Sequence, residues 1–468
     1  MIRENKTFAE LSVGDTASIK RVCTANDLYI FAHASGNLNP LHLPDGHGAP
    51  VQEAIAPSMW VGALVSAVLG NVLPGPGTLY NAQSFRFLGR AHVGDELTIA
   101  VTVKEKRPGN VVVLDTQVRG RGGETIAEGV AEVLAPARKL QIDDAGVPSL
   151  LVNRHQHFDR LIEACRGLDP MAMAVVAPEE PNALGGVLLA LEHKLVRPVL
   201  IGSADRTRQA AREIGATVDG IEIVDVPDHD QAAAHAVALV RDGRVDAIMK
   251  GHLHTDQLLA HVVKRDGGIR TSRRISHAFA FDVPGLDHVL LVSDAAINIA
   301  PTLEEKVDIV QNAIDVARSL GIEQPKVGVL SAVETVNPKI PSTLDAAILA
   351  KMAERGQITG GLVDGPLAMD NAMDMAAART KGITSLVAGR ADVLIVPNIE
   401  AGNMLAKELV FVAHAVGAGV VVGAKVPIIL TSRADDAKSR LASCAIAVLF
   451  QAWRSGIKLA LPGKAAAA

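Results

Sequence analysis

The chain of 468 residues carries a formal net charge of −5, and 49% of its residues are hydrophobic while 21% are charged. This length and composition predict a globular chain of about three domains rather than a disordered one. The negative charge and the scattered basic residues argue against a nucleic-acid-binding protein. Cys23, Cys165 and Cys444 lie far apart without a CxxC spacing, which fits reduced thiols in the cytoplasm better than disulfides or a zinc motif.

No segment of the sequence is typical of a secretion signal or a membrane span. The first residues, MIRENKTFAE, contain no apolar core. The longest uncharged apolar run, residues 409–424, is shorter than the roughly 18 residues of a span and is interrupted by His414 and by glycines. We therefore predict a soluble, cytoplasmic protein without membrane partners.

Residues 1–136 are predicted to form an α+β domain. An early loop, FAHASGNLNPLHLP at residues 31–44, concentrates glycine, asparagine, proline and histidine in a way that suits work on a carbonyl. Residues 56–75 have the length of a helix, with Pro57 in its first turn and Gly-Pro at its end. The runs that follow are rich in alternating β-branched residues, which predicts an antiparallel sheet wrapped around this helix.

Residues 137–152 are polar and lack a clear period, so we predict a linker there. In residues 153–468, short apolar runs such as MAMAVVAP, VDAIMKG and ADVLIVPNIE alternate with amphipathic helices. That alternation predicts a mostly parallel α/β sheet covered on both faces. Because a segment of this length exceeds one ordinary core, we expect two subdomains with a cleft between them.

A buried strand at residues 427–430, in VPIILTSRADDAKSRLAS, is followed by Ser432, Arg433, Asp435 and Asp436 and then by a helix. Ligands of open α/β sheets bind at such strand ends, where helix N-termini offer amides to anions. Ser432 and Arg433 would then face an anion. Asp435 or Asp436 would lie close enough to act as a base. The alternative is that Ser432 and Asp435 cap the helix beside a surface ion pair.

Other polar clusters lack the spacing of a ligand site. His252, His254 and Asp256 in GHLHTD have no HExxH pattern and no obvious third ligand, so we predict no metal there. A second cluster contains three aspartates. The apolar residues between them are spaced as in a loop that enters a helix, and not as in a calcium-binding loop. The three aspartates are Asp364, Asp370 and Asp374. The absence of a P-loop and of a GxGxxG after a strand disfavours nucleotide hydrolysis and dinucleotide chemistry.

Six stretches of residues 153–460 carry a family resemblance: MKGHLHTDQLL, RTSRRISHAFAF, LVSDAAINIAPTLEEKVDIVQNA, VDGPLAMDNA, ADVLIVPNIEAGNMLAK and GAKVPIILTSRADDAKSRLAS. They closely resemble the phosphate acetyl/butyryl transferase family, in its phosphotransbutyrylase-like branch. The resemblance implies a two-subdomain α/β fold like that of isopropylmalate dehydrogenases. It also implies the reaction of acyl-CoA with phosphate to give acyl phosphate and coenzyme A. These small molecules would be its substrates, with no bound cofactor.

The resemblance assigns roles at the strand end. Ser432 and Arg433 match the pair that holds phosphate and the acyl oxygen. Asp436, or Asp435 beside it, takes the role of base on the coenzyme A thiol, although in acetyl-specific relatives the base lies farther past the arginine. A thiol is mostly protonated at neutral pH, so a nearby base raises the thiolate fraction. A guanidinium and a hydroxyl can stabilise the oxyanion and the phosphate without a metal.

The resemblance also implies further substrate-binding residues. Relatives carry a second arginine where this chain has Leu258 and Leu259. That departure leaves Arg273 or Arg274 to supply the positive charge. The other implied substrate-binding residues are Lys250, Thr255, Ser276, His277, Asn398, Gly402 and Asn403.

Residues 10–135 contain FAHASGNLNPLHL, the helix from Pro57, SFRFLGRAHVGDELTIAVTV and GETIAEGVAEV. These stretches resemble the MaoC-like (R)-specific enoyl-CoA hydratases of the hot-dog fold. In that family an S-G-D-x-N-P-x-H motif supplies an aspartate and a histidine that add water to an enoyl thioester. His42 matches the histidine, and Gly36 belongs to the backbone expected to bind acyl-CoA. Asn37 stands at the aspartate position, where an amide cannot act as a base.

The sequence supports three hypotheses of different classes. In the first, the chain is a phosphate acyltransferase fused to a hot-dog domain that handles the same thioesters. In the second, the hot-dog domain is catalytically weak and serves acyl-CoA binding or assembly. In the third, the chain is an oxidoreductase of the isopropylmalate dehydrogenase type, which the phosphate-suited TSRADD element disfavours. Both resemblances imply a homo-oligomer.

Overall fold

The computed structural model describes residues 2–44, 51–143, 150, 152, 155–430, 436–457 and 459. The chain divides into two units, Met1–Val152 and Asn153–Ala468. Each unit has its own sheets and its own apolar core. None of the helices in the described ranges is both long and apolar enough to cross a membrane.

The first unit combines an antiparallel sheet with one long helix. Its strands are β1 (Ile2–Glu4), β2 (Thr16–Val22), β3 (Leu79–Phe87), β4 (Glu96–Arg107), β5 (Val111–Arg119), β6 (Thr125–Leu134) and β7 (Gln141–Asp143). Its helices are α1 (Ala25–Ser35) and α2 (Ser58–Asn71), and short 3₁₀ turns cover Pro40–His42 and Val51–Glu53. Five strands form an antiparallel sheet in the order β2-β4-β5-β6-β3, which confirms the predicted α+β hot-dog architecture.

Helix α2 packs against this sheet and supplies the centre of the core. Alternate residues of β4 are buried, Leu97, Ile99 and Val101 among them, and they share one apolar cluster with Trp60 and Val65 of α2. Such burial stabilises the unit by roughly 25 cal/mol for each Å² of apolar surface removed from water.

The observed helix is shorter than the predicted one. It begins at Ser58 with Pro57 as its N-cap, and it ends at Asn71. Pro74 has no N–H to continue a helix, and Gly75 has a φ of 99°. The chain therefore leaves helical geometry before the predicted end.

Part of the predicted linker, residues 137–152, pairs with the beginning of the chain. Strand β7 runs antiparallel to β1. The Asn5 side chain donates to the carbonyl oxygen of Arg138 at 3.0 Å and accepts from the N–H of Leu140 at 3.1 Å. A strand of three residues is too short to show a hydrophobic period. The sequence of β7 therefore predicts a linker and not a strand.

The second unit alternates strands and helices along the chain. Its strands are β8 (Met171–Val176), β9 (Val196–Gly202), β10 (Glu222–Asp225), β11 (Ala247–Lys250), β12 (Ser276–Asp282), β13 (Leu290–Ser293), β14 (Lys326–Leu330), β15 (Leu362–Leu367), β16 (Val393–Ile395), β17 (Val416–Val422) and β18 (Ile428–Ile429). Its helices are α3 (His157–Ala164), α4 (Pro181–Glu192), α5 (Ala204–Glu213), α6 (His229–Arg241), α7 (Thr255–Val262), α8 (Leu303–Ser319), α9 (Pro341–Glu354), α10 (Met369–Met373), α11 (Met375–Thr380), α12 (Ile399–Phe411) and α13 (Ala437–Arg454).

These strands form one continuous 11-stranded sheet in the order β10-β9-β8-β11-β18-β17-β12-β13-β16-β14-β15. We call β10-β9-β8-β11-β18 the first arm and β13-β16-β14-β15 the second arm. Neighbouring strands within each arm are parallel. Between the arms, β17 is antiparallel to β18 and to β12, and β12 is antiparallel to β13. The predicted α/β fold is confirmed.

Three antiparallel pairings, β18 with β17, β17 with β12 and β12 with β13, separate the two arms. Because this number is odd, the strands of the two arms run in opposite directions. The carboxyl ends of the first arm meet at one side of the sheet, which we call the first edge. Those of the second arm meet at the opposite side, the second edge. Along the seven residues of β12 the two edges are roughly 20 Å apart.

Helices cover both faces of this sheet. One apolar cluster extends along one face through both arms and includes Cys444 and Leu449 of α13. The opposite face has two separate clusters, one with Ile248 of the first arm and one with Val292 of the second. The arms therefore share their packing on one face and pack separately on the other.

Candidate functional site

The first edge carries the end of the strand that precedes the predicted phosphate-binding segment. Strand β11 ends at Lys250 and β18 at Ile429, and their parallel pairing places both ends side by side. The predicted residues Ser432, Arg433 and Asp435 follow β18 and lie outside the described residues.

Asp436 caps helix α13. Its Oδ1 accepts a hydrogen bond from the N–H of Ser439 at 2.8 Å, and its backbone is extended, with φ −75° and ψ 174°. The helix cap that the sequence suggested at Ser432 or Asp435 is therefore made by Asp436. A carboxylate at this position is favoured by the exposed amides and the dipole of the helix.

Lys250 and Thr255 flank a tight turn after β11. Lys250 is 6% exposed, and its Nζ lies 3.4 Å from the carbonyl oxygen of Gly251 and 3.3 Å from that of Leu253. Thr255 is the first residue of α7 and is half-buried. The turn thus holds a cation and a hydroxyl at the first edge.

The turn after β11 packs closely against the turn after β8. The N–H of Gly251 donates to the carbonyl oxygen of Val176 at 2.7 Å, and the N–H of His252 donates to that of Ala177 at 2.7 Å. A Cβ at Gly251 would overlap the carbonyl oxygen of Ala177, so glycine is required for this approach. Ala177 has a φ of 53°, a left-handed conformation that is strained for alanine.

Two acidic residues after β8 complete this edge, and the sequence interpretation missed both. The side chain of Glu179 is 3% exposed, lies 2.9 Å from Nε of Arg206 as an ion pair, and accepts from Arg206 Nη2 at 3.3 Å and His229 Nε2 at 3.0 Å. The carboxylate of Glu180 contacts Nδ1 of His252. The signal that could have found them is the pair of adjacent glutamates directly after a buried strand.

Arg273 and Arg274 lie at the second edge, just before β12. Arg273 forms an ion pair with Asp315. Arg274 pairs through Nη1 with Glu305 at 2.7 Å and donates from Nε to Oδ1 of Asn298 at 2.8 Å. The structure therefore binds both arginines to local acceptors and does not bring them to the first edge.

A buried carboxylate holds Asn298 in turn. Nδ2 of Asn298 donates to Oδ2 of Asp294 at 2.6 Å. Asp294 also accepts from the backbone N–H groups of Ala296 at 2.9 Å and Ile297 at 3.0 Å. Burial raises the pKa of Asp294, although these hydrogen bonds oppose the rise. Arg274 is thus anchored to the core through Asn298.

Ser276 and His277 are each 1% exposed and point into the core rather than to a surface that substrate can reach. Ser276 Oγ accepts from Nδ2 of Asn312 at 2.9 Å. Neither ring nitrogen of His277 has a hydrogen-bond partner in the described part of the chain, and the ring centroid lies 4.2 Å from that of Phe279. Burial lowers the pKa of His277 to about 3, so the imidazole is neutral near pH 7.

Asn398, Gly402 and Asn403 lie at the second edge, where α12 begins. Asn398 caps this helix by accepting from a backbone N–H at 3.0 Å. Gly402 allows the helix to approach Ala295, which a Cβ would crowd, and Asn403 is exposed. The predicted substrate-binding residues of the second unit are therefore divided between the two edges.

In the first unit, His42 ends a 3₁₀ turn and its ring orientation is fixed. Its Nδ1 lies 2.7 Å from the carbonyl oxygen of Ile55, which can only accept a hydrogen bond. Nδ1 therefore carries the hydrogen, and Nε2 is the acceptor of the neutral ring. Asn37 is exposed and accepts from the N–H of Asn39 at 3.2 Å, and Gly36 ends α1 with a φ of 71°.

Within the described ranges, no group of three or more His, Cys, Asp or Glu side chains could hold a metal ion. Asp374 caps α11 by accepting from the N–H of Ala377 at 2.7 Å, and Asp370 pairs with Lys381 at 3.2 Å. Asp364 accepts from the next backbone N–H at 2.8 Å. These acids therefore have local structural partners.

Both units match known families. A family model described as "Phosphate acetyl/butaryl transferase" matches residues 227–448, and one described as "MaoC like domain" matches residues 12–120. A phosphate acetyltransferase of Rhizobium meliloti is 54% identical over 303 residues, which are 65% of this chain and 96% of the relative. A phosphate butyryltransferase of Clostridium acetobutylicum is 41% identical over 292 residues, 62% of this chain and 97% of the relative. The structure of a branched-chain phosphotransacylase from Enterococcus faecalis V583 matches with a TM-score of 0.53 at 32% identity, covering 60% of this chain and 99% of the other.

His277→Asn is expected to flatten the pH dependence of stability. The folded-state pKa of about 3 lies below the ordinary value of 6.5, so as the pH falls from 6.5 the unfolded state binds a proton that the folded state does not. Wild-type stability therefore falls as the pH drops from 6.5 toward 3. Asparagine does not titrate, so the variant should lose less stability over this range.

Urea unfolding at a series of pH values between 7 and 4 measures this effect. His193→Asn, at an exposed position after α4, serves as the control and should keep the wild-type slope. A wild-type slope in His277→Asn would contradict a neutral, buried ring.

Proposed function

Because the chain belongs to the phosphate acetyl/butyryl transferase family, we propose that its second unit carries out acyl transfer at the first edge. The reaction is acyl-CoA plus phosphate to give acyl phosphate plus coenzyme A, with a short acyl group such as acetyl or butyryl. The observation that carries this function is the 54% identity to a phosphate acetyltransferase over 96% of its length.

We assign phosphate and the acyl oxygen to Ser432 and Arg433. Their segment follows β18, at an edge where parallel strands of α/β sheets receive ligands. Lys250 and Thr255, at the end of the neighbouring strand, extend this site. In this proposal Lys250 supplies the second positive charge, because Arg273 and Arg274 are paired with carboxylates at the other edge.

The chemistry follows from where charge develops. The acyl carbonyl becomes an oxyanion and phosphate is an anion on either side of the reaction, so a fixed guanidinium and a hydroxyl stabilise both. The thiol of coenzyme A must lose its proton to react. One carboxylate oxygen of Asp436, the base that the resemblance suggested, is occupied by the cap of α13.

The first unit carries a MaoC-like domain, and we propose that it acts on enoyl-CoA thioesters. His42 presents Nε2 as the proton acceptor because the carbonyl of Ile55 holds Nδ1. Asn37 orients water through its amide, and the backbone from Gly36 binds the thioester. The alternative of a binding or assembly module is not favoured, since the imidazole is already held in a base-competent tautomer.

We also propose a cytoplasmic homo-oligomer. All three cysteines are buried free thiols, which suits a reducing compartment. Apolar side chains are exposed beside the free edge of β3: Leu79 is 65% exposed, Tyr80 41% and Met59, on α2, 59%. A second copy would cover this surface.

An assay with acetyl-, propionyl-, butyryl- and crotonyl-CoA tests the two units separately. Phosphate-dependent release of free thiol and formation of acyl phosphate report on the second unit. Loss of the enoyl absorbance of crotonyl-CoA without phosphate reports on the first unit. The absence of phosphate-dependent thiol release with every substrate would overturn the proposed transferase.

Arg433→Ala is expected to lower the phosphate-dependent rate about 10²- to 10³-fold, because a charge-assisted contact to the transferring anion is lost. Its unfolding transition should match the wild type. Arg355→Ala, at an exposed position after α9, is the matched control and should keep full activity. Wild-type turnover of Arg433→Ala at saturating phosphate would remove this arginine from the site.

Asn37→Asp is expected to increase the rate of crotonyl-CoA hydration, because a carboxylate can accept a proton from water and an amide cannot. His42→Ala should decrease it, since one general base is worth about 10²- to 10⁴-fold. Asn81→Asp, at an exposed position of β3, is the control for added charge. A fast wild type that Asn37→Asp leaves unchanged would show that His42 suffices.

A further inference from the structure

The first edge holds a histidine and a carboxylate that the proposed acyl transfer has not yet used. His252 follows Lys250 by two residues in the turn after β11, and Glu180 directly precedes α4 after β8. The close approach at Gly251 and the left-handed Ala177 join the two turns. The two turns therefore lie side by side, and the side chains of His252 and Glu180 are in contact.

The ring of His252 is oriented by Glu180. Its Nδ1 is buried in direct contact with Oε1 of this carboxylate, although Nδ1 forms no hydrogen bond of ordinary geometry in the part of the chain that the structure describes. The side chain as a whole is 40% exposed, while Nδ1 itself is buried. A carboxylate beside Nδ1 favours the tautomer with hydrogen on Nδ1, which leaves Nε2 as a proton acceptor.

The neighbouring charged groups are engaged with other partners. Glu179 holds Arg206 and His229, and the ring of His229 lies edge-on to that of His252, with 6.1 Å between centroids. The ammonium of Lys250 lies against carbonyl oxygens of the same turn. The remaining titratable groups on the adjoining segment are His254 and Asp256.

We propose that His252 is the general base that removes the proton from the coenzyme A thiol, with Glu180 as its positioning residue. This inference rests on the proposed phosphate acyltransferase function. It places the base at the end of β11, beside the strand that leads to Ser432 and Arg433. The nearby cation of Lys250 favours the thiolate that forms.

One imidazole at this place balances the protons of the reaction in both directions. When acyl phosphate is consumed, Nε2 takes the proton of the S–H group and the sulfur forms a bond to the carbonyl carbon. The C–O bond to phosphate breaks, phosphate leaves with the electron pair, and the imidazolium returns the proton to it. In the reverse direction Nε2 takes a proton from phosphate as a phosphate oxygen forms a bond to the thioester carbonyl carbon. The C–S bond breaks with its electron pair on sulfur, and the imidazolium returns the proton to the thiolate.

The test uses the full-length protein and the butyryl-CoA assay with phosphate. His252→Gln is expected to lower kcat about 10²- to 10⁴-fold and to remove the acidic limb of the pH–rate profile. Glu180→Gln should lower the rate less and keep that limb, because the base itself is still present. Added imidazole should restore part of the activity of His252→Ala.

His261→Gln is the matched control. His261 also pairs with a carboxylate, Asp230, at 2.9 Å and is 20% exposed, but it lies near the end of α7 and away from the strand ends. Its replacement should leave kcat unchanged. Wild-type rates in His252→Gln would overturn the proposal, and so would a reduced rate with an unchanged acidic limb. A wild type without phosphate-dependent activity would instead reject the transferase function itself.

Discussion

Strand β17 runs antiparallel to both of its neighbours, and its hydrogen bonds join the first arm of the large sheet to β12. It pairs along its whole length with β12, from Val416 opposite Asp282 to Val422 opposite Ser276. On its other side it meets β18 at Val421. Because β17 is antiparallel to both β18 and β12, those two strands are parallel to each other, so Lys250 at the end of β11 and Arg274 before the start of β12 lie at opposite edges. A third reversal, between β12 and β13, places the carboxyl ends of the two arms at opposite edges.

The buried strands could be predicted from the sequence because they are continuous apolar runs. Every residue of β8 is buried, as an α/β strand covered on both faces requires. Strand direction could not be predicted, because an apolar run looks the same whether its neighbour is parallel or antiparallel. β12 is antiparallel to both of its neighbours, and its sequence does not show this. β7 was missed for a different reason, since its three residues are paired only through tertiary contact with β1.

The positions of some candidate site residues could be predicted from local sequence, and their roles stay predictions. Lys250 stands at a strand end, and His42 at the end of a polar turn, and both positions are visible in the sequence. Contacts with residues far away in the sequence could not be predicted. Arg273 and Arg274 looked equivalent until Asp315 and Glu305 of α8 bound them separately. The partners of such residues are fixed by the fold and not by spacing along the chain.

The order of the first arm has a consequence for how the protein is made. Strand β11 ends at Lys250, but its neighbour β18 begins at Ile428. During synthesis, β8 to β11 therefore leave the ribosome long before the strand that completes them. Until β18 has been synthesised, the unpaired edge of β11 can pair with strands of other chains. The sheet of the first unit is complete by residue 134, so it can form early. The second unit closes only after its last strand has been made.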